Sequence, residues 1–250
     1  MTDGTPMEGT HLGLDVWFSA IYLMTMSSKG VSALKLTAWL GVSYKTAWFL
    51  CHRIREMLAD GSAARLTGIV EADETSIGGR KRKGRDDDED LTGTPSHRGR
   101  GRARSSVLAA VERKGRAKAQ RVASHGVADI APRIFTWVSP EGILATDEWP
   151  AYRRIGRQLQ GHARVHHASG QYARDDARTG IRAHGNTAES FNSQIKRAII
   201  GVWHWISAQY CNRYLIEIAF RWNNRKAGFA SRIDSAVLTG VRLRWKDLVR

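Results

Sequence analysis

Cysteine is nearly absent from this 250-residue chain, which has only Cys51 and Cys211. Two thiols build neither a disulfide framework nor a cysteine-rich metal centre. Both lie in apolar, helix-periodic stretches, where a reduced and packed thiol is expected. Long hydrophobic runs are also missing. The best of them, Leu14 to Met26, is too short to span a bilayer and contains Asp15. It has neither a basic leader nor a signal cleavage pattern, so a cytoplasmic protein without a membrane segment is the expectation. Acidic residues are in deficit, 24 against 39 Lys and Arg, for a net charge of +15. Such an excess selects a polyanionic partner, nucleic acid ahead of an anionic membrane. No internal repeat is visible. What remains is an ordinary globular composition, 42% hydrophobic, enough for one large domain or two modest ones.

Residues 1–11 are small and polar and read as a poorly ordered lead-in. Residues 12–60 read as an all-helical unit. Leu14, Trp17, Ile21 and Met24 recur at helical spacing. Ser32 caps a second helix, Leu40-Gly41-Val42 turns, and Ser43 caps a third helix running to about Leu58. Two short helices about a glycine turn match a helix-turn-helix. That pattern sets Ser43, Tyr44, Lys45 and Thr46 at the start of the recognition helix, with His52, Arg53 and Arg55 further along it. A plain three-helix bundle with a basic solvated face is the alternative.

From residue 65 the pattern changes to strands. Ile69-Val70 leads into Glu71-Ala72-Asp73-Glu74-Thr75 and a Gly78-Gly79 pair, which reads as a buried strand delivering a carboxylate to its end. Strand alternation sets Glu71, Asp73 and Thr75 on one face and Ala72, Glu74 and Ser76 on the other. A carboxylate there is costly unless a metal, a cation or hydrogen bonds compensate it. Residues 80–104 are charge-blocked: Arg80 to Arg85 basic, Asp86 to Asp90 acidic, then Arg98 to Arg102 basic again. This stretch cannot form a core and reads as a mobile insertion whose basic ends can track phosphates. Its acidic block is a poor metal site, because flexible like charges offer no fixed geometry.

A hairpin follows (Ser106–Arg113, Ala119–Ser124), then a helix from Val127 containing Pro132. Gly142 to Trp149 repeats the opening motif, an apolar strand ending at Asp147, and Pro150 starts a helix. Ala163 to His167 reads as a strand with a turn at Ser169-Gly170. Thr187 reads as the N-cap of a long helix, and a last helix runs from about Ser207 to Asn224. Beyond residue 226 the chain reads as a basic tail.

The order β-β-β-α-β-α suits an RNase H-like mixed sheet with flanking helices, preceded by the small helical unit: an α/β fold. In that sheet the first and fourth strands are neighbours, so Asp73 and Asp147 converge, and the later helix brings Glu189 across them. Glu189, Asn192 or Ser193, and Lys196 share one helix face. Three such carboxylates can hold two divalent cations for in-line phosphoryl transfer. Mg²⁺ suits this all-oxygen set, with Mn²⁺ as a substitute.

Five stretches, in order, resemble the DDE insertion-sequence transposases of the ISXO-like group. They are Trp17 to Met24; Leu40 to Trp48 with His52-Arg53-Ile54-Arg55; Val70 to Thr75 with Ile77-Gly78-Gly79; Thr146 to Trp149; and His184 to Glu189 with Lys196-Arg197, Ile200-Gly201 and Phe220 to Arg225. The resemblance covers about residues 12–226. It implies a catalytic domain over 65–226 in which Asp73, Asp147 and Glu189 are the metal-binding triad. It implies that Lys196 accompanies the triad and contacts DNA phosphate. Arg197 beside it, and Ser43, Tyr44, Lys45, Thr46 and Arg53 in the helix-turn-helix reading, are the further expected DNA contacts. His184 and Asn186 match the lead-in to the third acid. The family usually carries an N-terminal zinc ribbon of paired cysteines. This sequence starts after the place where the ribbon would end, so a truncated start or a lost recognition module is expected. Asn192 also departs from the pattern, standing where an aromatic residue is expected after Phe191. The function implied is transposition: metal-dependent strand cleavage and strand transfer by a dimer or higher assembly on DNA. The alternatives are a non-catalytic DNA-binding protein derived from a decayed transposase, and a simple RNase H-like nuclease.

Overall fold

Two strands that are largely buried, the second of them on both faces, build the centre of the molecule. The computed structural model describes residues 5–59, 64–78, 105–165 and 173–238. Strands β1 (Ile69–Ile77), β2 (Ser105–Glu112), β3 (Ala117–Val122), β4 (Ile143–Thr146) and β5 (Gly161–Arg164) form one sheet in the order β3-β2-β1-β4-β5. β1, β2 and β3 pair antiparallel, while β4 and β5 run parallel to β1. The first and fourth strands are therefore neighbours, as the RNase H-like reading expects. On β2, Leu108 and Ala110 point to one layer while Val107, Ala109 and Val111 point to the other.

The first layer holds helices α4 (Val127–Trp137) and α5 (Pro150–Gly156), with Ile130, Ile134, Tyr152 and Ile155 packed on Val70 and Leu144. The second holds α6 (Asn186–Ala198) and α7 (Cys211–Asn223), with Phe191, Ile195, Leu215 and Ile218 against the β2 valines. Both cysteines are buried free thiols, and burial pushes Cys51 up to about 12 and Cys211 to about 11.

The helical unit forms as expected: α1 (Leu14–Met26), α2 (Ala33–Leu40) and α3 (Tyr44–Met57). Ser32 Oγ accepts from Lys35 N and Ser43 Oγ from Thr46 N, while Gly41 closes α2 at φ 66°, a conformation glycine adopts without strain. This unit shares its core with the far end of the chain, since Phe220 of α7 and Ala236 of α8 (Phe229–Leu238) lie in the same apolar cluster as Trp17, Ile21 and Ile54. A buried Arg55–Glu217 ion pair of 2.7 Å fixes α3 to α7.

Several expectations need correction. Part of the stretch read as a basic tail is helix α8, whose Tyr22–Phe229 edge contact and Arg232 bond to the Thr25 carbonyl dock it on α1. Part of the lead-in is also docked, with Met7 buried and Thr10 Oγ1 accepting from Trp17 Nε1 at 3.0 Å. β5 starts two residues early, at Gly161, and a hairpin of β6 (Ala173–Asp176) and β7 (Ile181–His184) follows that polar periodicity did not reveal. The expected insertion at 80–104, the turn at 169–170 and the last twelve residues of the tail lie outside the described residues.

Candidate active site

The register between β1 and β4 sets the first two acids. Pairing ends at Glu71 opposite Ala145, and two residues further along both strands stand Asp73 and Asp147. The sequence suggests a strand-terminal Asp73, yet β1 continues to Ile77 because β2 pairs with it well beyond Asp73, which faces Ala109. Towards β4, Asp73 lies past the paired segment, as a strand-terminal acid would. Asp147 follows β4 directly, and its Oδ1 accepts from Trp149 N at 3.0 Å. That short turn orients the carboxylate and leads into Pro150 at the head of α5.

Helix α6 carries Glu189, the expected third acid, and docks on the same face of β1. Glu71, Asp73 and Thr75 point to α6, while Glu74 points the other way and accepts from Tyr152 Oη of α5 at 2.5 Å. Glu71 is fully buried. Its Oε2 accepts from the backbone N–H groups of Thr187 (2.7 Å) and Ala188 (3.1 Å), and its Oε1 from Thr187 Oγ1 (3.1 Å) and Arg113 Nε (2.6 Å). His184 Nδ1 lies 3.1 Å from the same oxygen. Arg113 also donates to the carbonyls of Arg182 (2.8 Å) and His184 (3.3 Å), tying in the segment before the helix. The residue expected to cap α6, Thr187, sits inside its first turn. Gly185 holds the cap position without a side-chain bond, and the Glu71 carboxylate from β1 satisfies the orphan amides instead.

One turn along α6, Asn192 is 4% exposed and its Nδ2 donates to Asp73 Oδ2 at 2.8 Å. An aromatic residue at this position would offer no such amide. Asp73 is pushed above the ordinary carboxylate range, chiefly by burial, with the charges of Asp147 and Glu189 adding to the push and Asn192 opposing it. Glu74 is raised to about 7, again mainly by burial, against the bond from Tyr152. Glu189 lies in the first turn of α6 and Lys196 and Arg197 in its last; all three are exposed. His184 is half-buried beside Glu71, and Asn186 is the exposed first residue of α6.

Crowded carboxylates with only oxygen donors are a set that a hard divalent cation offsets. In this respect Asp73, Asp147 and Glu189 fit such an ion. Among the described residues, however, no three acidic, histidine or cysteine side chains are drawn together tightly enough to form a closed metal cage.

The helix-turn-helix residues divide. Ser43, Tyr44 and Lys45 are exposed at the head of α3, and Thr46 is half-buried with its hydroxyl 2.9 Å from Ser43 Oγ. Arg53 does not join them. It is 7% exposed, donates to the carbonyls of Pro6 and Glu8, and lies 4.7 Å over the Trp17 ring, so its guanidinium is spent on docking the N-terminal segment. His52 and Arg55 are likewise buried. Helical periodicity reveals a face but not whether another part of the chain covers it. Sequence reasoning also missed Glu71 and Arg113 as working residues. The available signal was that Glu71 shares a strand face with Asp73.

A family model described as the ISXO2-like transposase domain matches residues 65–223. No curated protein matches the chain.

Proposed function

The chain belongs to the ISXO2-like transposase family, and from that membership we propose that it is a DDE transposase acting on DNA with Asp73, Asp147 and Glu189 as its metal-binding triad. The observation that carries the proposal is the β1–β4 register, in which Asp73 and Asp147 each stand two residues past the last paired residues of adjacent strands. The electrostatic effect of both Asp147 and Glu189 on Asp73 supports a shared site.

Bound divalent cations would supply the polarisation of phosphate oxygens and the activated attacking oxygen that phosphodiester cleavage requires. The chain's own residues do the rest. Asn192 holds one oxygen of Asp73. The turn at Trp149 fixes Asp147. The Glu71 clamp holds the helix that carries Glu189. Lys196 and Arg197, two turns below Glu189, attract the phosphate backbone, and the head of α3 at Ser43, Tyr44, Lys45 and Thr46 offers a second DNA contact. Hydrolysis at an element end would expose a 3′-hydroxyl, which would then attack a target phosphodiester in a transesterification that displaces the target strand's own 3′-hydroxyl. Two ends must be held together, so a dimer or larger assembly on DNA forms part of the proposal.

One observation favours a second reading, a DNA-binding protein that does not cut: the described acids are not gathered into a closed metal cage. A strand-cleavage assay with Mg²⁺ or Mn²⁺ on the flanking inverted-repeat DNA separates the two. Wild type nicks at the repeat end, and Asp147→Asn loses nicking by at least ~100-fold while retaining salt-dependent DNA binding, since the lost ligand acts only in the chemistry. Binding without nicking in both forms selects the second reading.

A further inference from the structure

A polar cavity of about 590 Å³ opens beside β5, on the far side of β4 from the sheet centre. Arg153 of α5 and Arg157, the residue that caps its C-terminus, line it together with Arg164 at the end of β5 and Arg178 and Thr179 in the β6–β7 turn. No carboxylate among the described residues is in the lining. Asp176 of β6 is buried and committed to its own hairpin, accepting from Arg178 N at 2.9 Å and pairing with Arg174 at 3.4 Å. His162, also in the lining, is held neutral, lowered to about 4 by burial and then by Arg164, and its Nε2 lies 2.9 Å from Thr146 Oγ1.

Two features separate this cavity from a solvated basic face. Arg164 Nη1 and Thr179 Oγ1 are buried without a hydrogen-bond partner. An unpaired buried donor costs on the order of 1–3 kcal/mol, more when charged. In addition, glycines keep the walls close. A Cβ on Gly161 would stand 2.8 Å from Thr179 Cγ2, and one on Gly156 would stand 2.4 Å from the His162 ring. Four guanidinium groups around a recess whose lining holds no carboxylate among the described residues are a fork-shaped donor array suited to phosphate oxygens. Arg164 pairs in register with Thr146, the residue before Asp147, so the cavity adjoins the second acid along the sheet.

We infer that this cavity binds phosphate, as the backbone of a DNA strand running past Asp147 and outside the edge strand. The assignment of the strand rests on the transposase proposal, whereas the phosphate chemistry does not.

The test uses the full chain and its Arg164→Ala, Arg178→Ala and Arg154→Ala forms. Arg154 is exposed on α5 but does not line the cavity. Fluorescence anisotropy with a labelled duplex is read across a KCl series. Losing one phosphate contact lowers the slope of log affinity against log salt by about one. The expected result is that drop, with a several-fold weaker affinity, for Arg164→Ala and for Arg178→Ala, and wild-type behaviour for Arg154→Ala. Unchanged slopes in both cavity variants, or an equal loss in Arg154→Ala, overturn the proposal. A second arm measures the melting temperature with and without inorganic phosphate. Stabilisation of wild type but not of Arg164→Ala, with DNA slopes unchanged, overturns the strand assignment in favour of a free anion. If wild type binds no DNA, the transposase proposal has failed on its own, and the phosphate arm alone decides the cavity.

Discussion

Replacing Glu71 with alanine removes the contact that holds the first turn of α6, and with it Glu189, on the sheet. Two losses combine. The first turn of α6 loses the acceptor for two of its amides, and an end cap is worth about 1 kcal/mol. Arg113 loses its carboxylate partner at 2.6 Å, with its side chain only 18% exposed. Breaking a buried pair on one side costs about 3–5 kcal/mol, and the partial exposure of Arg113 places this case near the lower bound. Because the bonds share one carboxylate, the terms do not add, and a total of about 3–4 kcal/mol is expected. That is a large share of the ~5–15 kcal/mol of a typical domain. Glu71→Gln keeps the volume and one acceptor oxygen and should cost about 1–2 kcal/mol. Urea unfolding followed by tryptophan fluorescence measures both. Hydrogen exchange at Thr187 and Ala188 should rise in each variant, and metal-dependent nicking should fall further than the folded fraction does. A Glu71→Ala protein within about 0.5 kcal/mol of wild type, the range of ordinary surface changes, would refute the clamp.

Two further perturbations follow from the same geometry. Asn192→Leu keeps the volume but removes the donor to Asp73 Oδ2. By analogy with other groups that orient metal ligands, a ~10–100-fold loss in apparent metal affinity or nicking rate is expected, read by titrating Mn²⁺ in the cleavage assay. An unchanged titration would show that Asn192 only fills space. His52 is lowered from 6.5 to about 2, mainly by burial and then by Arg55 and Arg213, and neither ring nitrogen has a partner. Between those values the unfolded chain binds the proton and the folded one does not, so stability falls as pH drops below 6.5. The loss amounts to about 2 kcal/mol by roughly pH 5. His52→Phe, among Trp48, Tyr210 and Tyr214, should flatten that acid limb and leave neutral-pH stability equal or higher. An unaltered limb would place the acid sensitivity elsewhere.

Much of this architecture is legible in the sequence because it rests on local signals. Period-2 alternation at Glu71 to Thr75 gives the correct faces, and it survives in the bonds to α6 on one side and Tyr152 on the other. Serine caps and a left-handed glycine mark α2 and α3. The illegible parts are non-local. The amphipathic face of α3 looks like a DNA-reading surface until α7, α8 and the N-terminal segment cover most of it. Arg53 and Arg55 then become internal ties to Pro6, Glu8 and Glu217. The cap of α6 was assigned to Thr187 because caps usually come from the preceding residues. Here the acceptor comes from a strand 116 residues away in sequence. The β6–β7 hairpin is short and charged, so it carries no apolar alternation to detect.

Glu71 and Asn192 together explain why α6 should hold a fixed register on the sheet. Glu71 and Asp73 are two residues apart on one strand face, a rise of about 6.6–6.8 Å. Their partners on α6, the amides of Thr187 and Ala188 and the side chain of Asn192, are four to five residues apart, a rise of about 6–7.5 Å. The two spacings match, so the helix can meet both carboxylates while running nearly along the strand. Glu189 lies between the two anchor points. Sliding α6 by one residue would break the amide bonds to Glu71 and the Asn192 bond to Asp73 at once, leaving buried acceptors unsatisfied at both ends. The third acid therefore needs no partner of its own. Its position follows from two bonds made by its neighbours, one to a residue of the proposed triad and one to a carboxylate outside it that no metal is required to explain.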